Sequence, residues 1–150
     1  MKKGLVVMAM IVAITAPTVL FGQAKAVETY VMVSNVAAHP YWIDAKKGGE
    51  DAANELGVKW IYTGPADFNT PAQVTTLEQI IQTKPAGILV AALQPDALTP
   101  AINKAIAMGI PVVTVDTDAP NSKRMTYLGT DNYSAGVTMG KRMAEITIEY

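Results

Sequence analysis

From Thr29 onward, short β-rich or apolar runs alternate with longer segments of helical period, so that each strand-like run is parted from the next by a helix-length stretch. Tight turns return a chain antiparallel, whereas parallel neighbours need crossovers of this length. Right-handed crossovers put helices on both faces of the sheet, and the alternation therefore predicts a doubly wound parallel α/β sheet of the Rossmann-like or flavodoxin-like kind. The strand-like runs are TYVMVS (29–34), VKWIYT (58–63), GILVAA (87–92), PVVTV (111–115) and TYLG (126–129). The third and fourth are continuously apolar, as strands covered on both faces are.

The intervening segments carry helical signals. Between Tyr41 and Leu56 the residues Trp42, Ala45, Gly49, Ala52, Ala53 and Leu56 share one face, and Gly57 stands where a helix takes its left-handed terminal residue. Thr70-Pro71-Ala72-Gln73 reads as a capping Thr, Pro at the first helical position and Gln at the third, opening a helix with Val74, Leu77, Ile80 and Ile81 inward. A third helix over Asp96–Met108 turns Leu98, Ile102, Ala105 and Ile106 inward. The last starts near Tyr133 and runs through Ala135, Met139, Met143 and Ile146, where the spaced methionines read as core.

Ahead of this pattern, Met1-Lys2-Lys3, the apolar run Leu5–Phe21 and Ala24-Lys25-Ala26 have the three-part layout of a cleaved export signal, with residues 1–26 removed. Loss of Lys2, Lys3 and Lys25 from the 12 basic residues leaves 9 against 13 acidic ones, a formal charge of −4. The expected mature chain, 27–150, suits one small domain, and the periplasm of a Gram-negative cell is its expected compartment.

Composition removes whole classes of chemistry. The chain has no Cys, which excludes disulfide frameworks, thiolate nucleophiles, Cys-based zinc sites and a lipid-anchoring Cys. His39 is the single His, so mechanisms needing a second imidazole are excluded too. The near-neutral charge gives no electrostatic footprint for nucleic acid. Neither G-x-x-x-x-G-K-[ST], nor G-x-G-x-x-G after the first strand, nor G-x-S-x-G occurs. No enzyme activity and no cofactor are expected.

In an open α/β sheet, ligands bind beyond the carboxyl ends of the strands, where the strand order reverses. The loops there carry Ser34, Asn35, His39, Tyr41, Trp42, Gln94, Asp96, Asp116 and Asp118, without a cluster of Lys or Arg. Such a rim disfavours a phosphorylated guest and favours a neutral polyhydroxylated one, because vicinal hydroxyls donate in pairs to a carboxylate while the C–H face of a sugar ring packs on an aromatic plane. The candidate ligand-binding set is Ser34, Asn35, His39, Tyr41, Trp42, Asp116 and Asp118. Each has a plainer alternative: Asp116 as a turn acid, Asp118 facing water, His39 as a surface loop residue held extended by Pro40. Adjacent Tyr41 and Trp42 point about 100° apart on a helix, so one packs inward and the other faces the cleft, without a sign of which. Gln94 and Asp96 read as helix-entry residues.

Several of these segments, in this order and spacing, resemble the type I periplasmic sugar-binding proteins of ABC transporters, the group that includes ribose-, xylose- and autoinducer-2-binding proteins. They are Val33-Ser34 with His39-Pro40-Tyr41-Trp42, Gly64-Pro65 to Gln73, Ile88-Leu89-Val90 to Gln94-Pro95-Asp96-Ala97, Ile110 to Asp116, and Gly129-Thr130-Asp131-Asn132. The resemblance implies that His39, Tyr41, Trp42 and Asp116 touch a small sugar from the N-terminal lobe. It further implies an inner-membrane ABC permease as partner, and a chemoreceptor as another. His39 and Thr117 stand where ribose-type members have Asn and Arg, which argues against ribose itself, and Asp-x-Asp at 116 and 118 leans toward the autoinducer-2 and rhamnose-like branch. Family members have two such lobes, so the chain is expected to be a truncated N-terminal lobe that binds weakly alone and exposes apolar surface. A sugar-sensing effector domain of a transcription regulator shares this fold, but the export signal and the lack of a basic DNA-binding segment argue against it. A secreted Rossmann-like enzyme is disfavoured by the missing phosphate loops.

Overall fold

The computed structural model describes residues 26–148, and the predicted leader lies, apart from Ala26, outside the described residues. Five strands form one parallel sheet: β1 (Thr29–Val33), β2 (Lys59–Thr63), β3 (Gly87–Val90), β4 (Val112–Val115) and β5 (Thr126–Leu128). The helices are α1 (Ile43–Leu56), α2 (Thr70–Gln82), α3 (Pro95–Ala107) and α4 (Asn132–Ile148). The strand order is β2-β1-β3-β4-β5, so the chain steps outward from β1 to β2 and then crosses back past β1 to β3. The reversal of strand order thus falls between β1 and β3, the switch point of the flavodoxin-like arrangement.

Strand alternation sorts the apolar residues onto two faces. On one, Val31, Val33, Ile88, Val90 and Val112 meet Leu77 and Ile81 of α2 and Leu98, Ala101, Ile102 and Ala105 of α3, all essentially inaccessible to solvent. This is the dry core, and the predicted stripes of α2 and α3 supply it. On the other face, Met32, Ala91 and Val115 gather with Trp42 and the half-buried Trp60, Tyr62, Leu89 and Val113. The helix on that side, α1, lies beside β2 and comes close because of Gly49: a Cβ there would stand 2.3 Å from the Trp60 ring.

Three sequence expectations need correction. The first helix begins as a 3-10 turn at Pro40–Trp42 before α1 proper, and of its expected stripe only Trp42 and Ala53 are buried. Leu56 stays exposed on an open apolar cleft that it lines with Tyr30, Trp60 and Leu89. The cap of α2 is Asn69, not Thr70. Asn69 has the extended backbone of a cap (φ −131°), and its side-chain oxygen accepts from the Ala72 amide at 2.9 Å, while Thr70 and Pro71 already lie within the helix. Finally, α4 buries none of its residues, and Met139 and Met143 are exposed. The helix leaves the sheet after β5 and packs against no other described element, so its apolar stripe has no partner surface among the described residues.

Among the described residues three polar side chains are fully buried, Ser34, Gln73 and Thr114, and Gln73 is the largest of them. Gln73, on the first turn of α2, is fully buried; its Nε2 donates to the carbonyls of Ser34 at 3.0 Å and Ala91 at 2.7 Å, and its Oε1 accepts from the Leu93 amide at 3.0 Å. It closes the gap between the ends of β1 and β3 by satisfying backbone groups that have left the ladder. Replacing it with Leu orphans two carbonyls and an amide in the interior. Gln73→Leu is expected to lower stability by about 2 to 4 kcal/mol in urea denaturation, and a loss below about 1 kcal/mol would contradict this role.

Candidate functional site

The loops after β1 and β4 meet at the carboxyl edge, although β3 runs between those strands. Neighbouring strands lie about 4.8 Å apart, so the meeting spans two strand spacings. Small residues at the end of β3, Ala91 and Ala92, leave the way clear, and Tyr41 bridges it: its hydroxyl donates to Asp116 Oδ1 at 2.5 Å. The hydrogen bond that Tyr41 donates to Asp116, slight desolvation and the carboxylate charge raise the Tyr41 phenol above its ordinary pKa, which keeps it a protonated donor.

The adjacent aromatics divide their roles. Trp42 is buried at 4% exposure and Tyr41 is 60% exposed, with the rings edge to face at 4.9 Å. The 3-10 turn sets this division: His39 caps it, its Nδ1 accepting from the Tyr41 amide at 3.2 Å, while Pro40 occupies the first turn. Trp42 is anchored from below by Asn35, whose Oδ1 accepts from the indole Nε1 at 3.0 Å. Tyr41 therefore faces the cleft, and Trp42 is the core anchor that backs it.

Asp116 is exposed, with φ at +60°. Its second oxygen accepts from Thr117 Oγ1 at 3.1 Å. A carboxylate offers about four lone-pair sites. The two donors from Tyr41 and Thr117 leave room for a further pair.

The remaining candidates are placed differently. His39 is exposed at the same rim, its ring 6.0 Å from that of Phe68 in the loop after β2. Ser34 is fully buried, and its hydroxyl donates to the Thr63 carbonyl at 3.2 Å, tying the ends of β1 and β2. Asp118 is engaged from within: its Oδ1 accepts from Thr114 Oγ1 and from the Ala119 amide, both at 2.7 Å, and its Oδ2 accepts from Arg124 Nη2 at 2.7 Å. Burial alone would raise its carboxyl, but the hydrogen bonds from Thr114, Arg124 and the Ala119 amide, with the Arg124 charge, outweigh burial and hold it below the usual carboxylate range. The structure thus brings His39, Tyr41 and Asp116 together in the open, with Asn35 and Trp42 as support, while Ser34 and Asp118 serve protein partners.

Phe68 is the rim residue that sequence reasoning passed over. It is 62% exposed beside His39, and its signal was an aromatic alone in a polar loop. Below the rim the uncovered part of the sheet forms a cleft of about 400 Å³ whose lining includes Met32, Trp60, Leu89, Val115 and Leu128. Those walls are largely apolar, and the polar groups Tyr41 and Asp116 stand at the mouth. Arg124 lies behind Asp118, its Nε 2.5 Å from Oδ1, and adds no free cation to the rim.

Comparison with known proteins gives a consistent picture. A family model described as periplasmic binding protein domain matches residues 30–148. A ribose import binding protein of Bacillus subtilis is 32% identical over 98 residues, which cover 65% of this chain and 32% of that protein. An arabinose-binding protein from Geobacillus stearothermophilus has a solved structure at 49% identity and a TM-score of 0.77, with 81% of this chain and 42% of that one covered. A sugar-binding protein of a sugar ABC transporter from Bacillus halodurans matches at 44% identity and a TM-score of 0.78, over 80% of this chain and 41% of that one. The chain spans between a third and a half of the length of most such relatives.

The lowered carboxyl of Asp118 sets a pH dependence. Its native form holds the proton less tightly than the unfolded form, so its stabilisation is complete above the unfolded value of about 3.9 and is lost as pH falls through the native one. Asp118→Asn is expected to melt below wild type at pH 7, with the gap narrowing as pH falls below about 4. A gap of equal size in melts above and below that pH would contradict the pairing.

Proposed function

The chain belongs to the periplasmic binding protein domain family, and on that premise we propose that the whole protein is the solute-binding component of an ABC-type carbohydrate importer. It takes a small neutral sugar in the periplasm, is exported through the leader at residues 1–26, and hands its ligand to an inner-membrane permease. Its relatives, binding proteins for ribose, arabinose and other sugars, support a binding protein in place of an enzyme. None of them supports the regulator.

The observation that carries this reading is the meeting of Tyr41 and Asp116 at the carboxyl edge. A vicinal diol donates to both oxygens of a carboxylate, and the exposed Tyr41 ring offers a plane for the C–H face of a pyranose or furanose. An acidic rim suits a neutral donor-rich guest and repels a phosphorylated one. His39 contributes its second ring nitrogen, since Nδ1 already accepts from the Tyr41 amide. Thr117, which follows Asp116, brings a hydroxyl and not a cation to this rim.

Calorimetry on the full-length protein with D-ribose, D-xylose, L-arabinose, D-allose and D-galactose tests the reading. Asp116→Ala and Tyr41→Ala are each expected to weaken the best of these sugars by about 1 to 3 kcal/mol. Trp42→Ala is expected to lower stability by about 3 to 5 kcal/mol as well, since it empties a packed position. Unchanged affinity in both Asp116→Ala and Tyr41→Ala would sink the site.

A further inference from the structure

Asp116 holds a backbone conformation that needs support. With φ at +60° it is one of two non-glycine residues in the left-handed region among the described residues, the other being Lys84 at the exit of α2. The Thr117 amide donates to the Val115 carbonyl at 2.6 Å, so a three-residue γ-turn closes around Asp116. With positive φ at its centre this turn is rare and strained, and such strain persists where surrounding groups over-determine it. The turn swings the Asp116 carbonyl out of the sheet ladder while its carboxylate points to the rim.

Two contacts from β5 hold the main chain there. The Asp116 amide donates to the Leu128 carbonyl at 2.9 Å, and the Asp116 carbonyl accepts from the Tyr127 hydroxyl at 2.8 Å. Tyr127 is the register partner of Thr114, so its phenol must reach along the strand direction toward the level of Asp116. Gly129 leaves space for it: a Cβ there would stand 1.9 Å from the Tyr127 hydroxyl oxygen and 2.2 Å from the ring carbon that bears it. Gly129 itself is outside the left-handed region, so its lack of a side chain matters for room and not for backbone freedom.

We propose that Tyr127 is a positioning residue for sugar binding: its hydroxyl, admitted by Gly129, clasps the Asp116 carbonyl and holds the γ-turn that presents the Asp116 carboxylate to the ligand. Tyr127 sets affinity through the shape of the turn and contacts no sugar atom. The inference rests on the reading of Asp116 as a sugar-binding group.

The test uses the full-length protein with the same five aldoses and four variants: Tyr127→Phe, Gly129→Ala, the two combined, and Asp116→Asn. Tyr127→Phe removes one hydrogen bond and is expected to weaken binding about three- to tenfold. Its melting temperature stays within about 1 °C of wild type, because the bond lies at a half-exposed edge. The backbone amide of Thr117, on the peptide that bears the clasped carbonyl, shifts in the NMR spectrum of the sugar-free protein. Gly129→Ala pushes the phenol aside and is expected to do the same, and the double variant is expected to be no worse than either single one. Wild-type affinity in Tyr127→Phe with weak binding in Asp116→Asn overturns the inference and leaves the sugar site standing. Wild-type affinity in Asp116→Asn as well overturns the site and the inference with it. Additive losses in the double variant, or an affinity loss in Tyr127→Phe that tracks a falling melting temperature, also overturn it.

Discussion

The ends of β1 and β3 are joined through the side chain of Gln73, and the rim takes its geometry from that junction. At the switch point of a doubly wound sheet, two loops leave in opposite directions and their backbone groups lose ladder partners. Many folds fill this crevice with a ligand, but here an amide from α2 fills it and satisfies three backbone groups at once. The open polar groups stand to one side of it, where the loops after β1 and β4 meet across the short side chains of Ala91 and Ala92. The Ser34 hydroxyl on Thr63 and the Tyr62 hydroxyl on the Ala37 carbonyl, at 3.1 Å, extend the same fixation to β2. Tyr41 then stands on a loop held from both sides, as a platform must be if its ring is to meet a small rigid guest.

The electrostatics follow from what is paired. Asp118 and Arg124 neutralise each other beneath the loop, while Asp116 stays open at the rim. Its carboxylate already accepts from two hydroxyls, which fix its orientation and leave lone pairs open toward the rim. The uncovered sheet face beside the rim and the exposed stripe of α4 are apolar surfaces with no partner among the described residues. The relatives matched are more than twice as long as the aligned segment.

Much of the fold was legible before any coordinates, because strand alternation and helical period both arise from burial. The five strands, four helices and parallel topology follow from apolar runs such as Gly87–Val90 and from the stripe of α2. What stayed hidden depended on where side chains go after the chain is folded. The spacing of Thr70, Pro71 and Gln73 looked like a cap, yet Asn69 caps the helix and Gln73 turns into the core. Tyr41 and Trp42 could not be told apart because the 3-10 turn that orients them depends on the His39 cap. Asp118 looked like a second rim acid, and its pairing with Arg124, six residues on, needed the loop's curvature to appear. Asp116, by contrast, was legible from position alone, since the end of a strand at the binding edge is fixed by topology. The α4 stripe shows the limit of periodicity, which marks a face fit for burial without saying that a partner is present.

The central claim is that the exposed Tyr41 ring and the Asp116 carboxylate form one recognition unit for a neutral polyol. Carbon-13 NMR of the full-length protein, with labelled Tyr ring and Asp carboxyl carbons, reads both groups during titration with L-arabinose or D-ribose. The account predicts that the Tyr41 and Asp116 resonances move together and saturate at the same sugar concentration, while those of Asp118, paired with Arg124, stay in place. Saturable binding that leaves Tyr41 and Asp116 unmoved would contradict it.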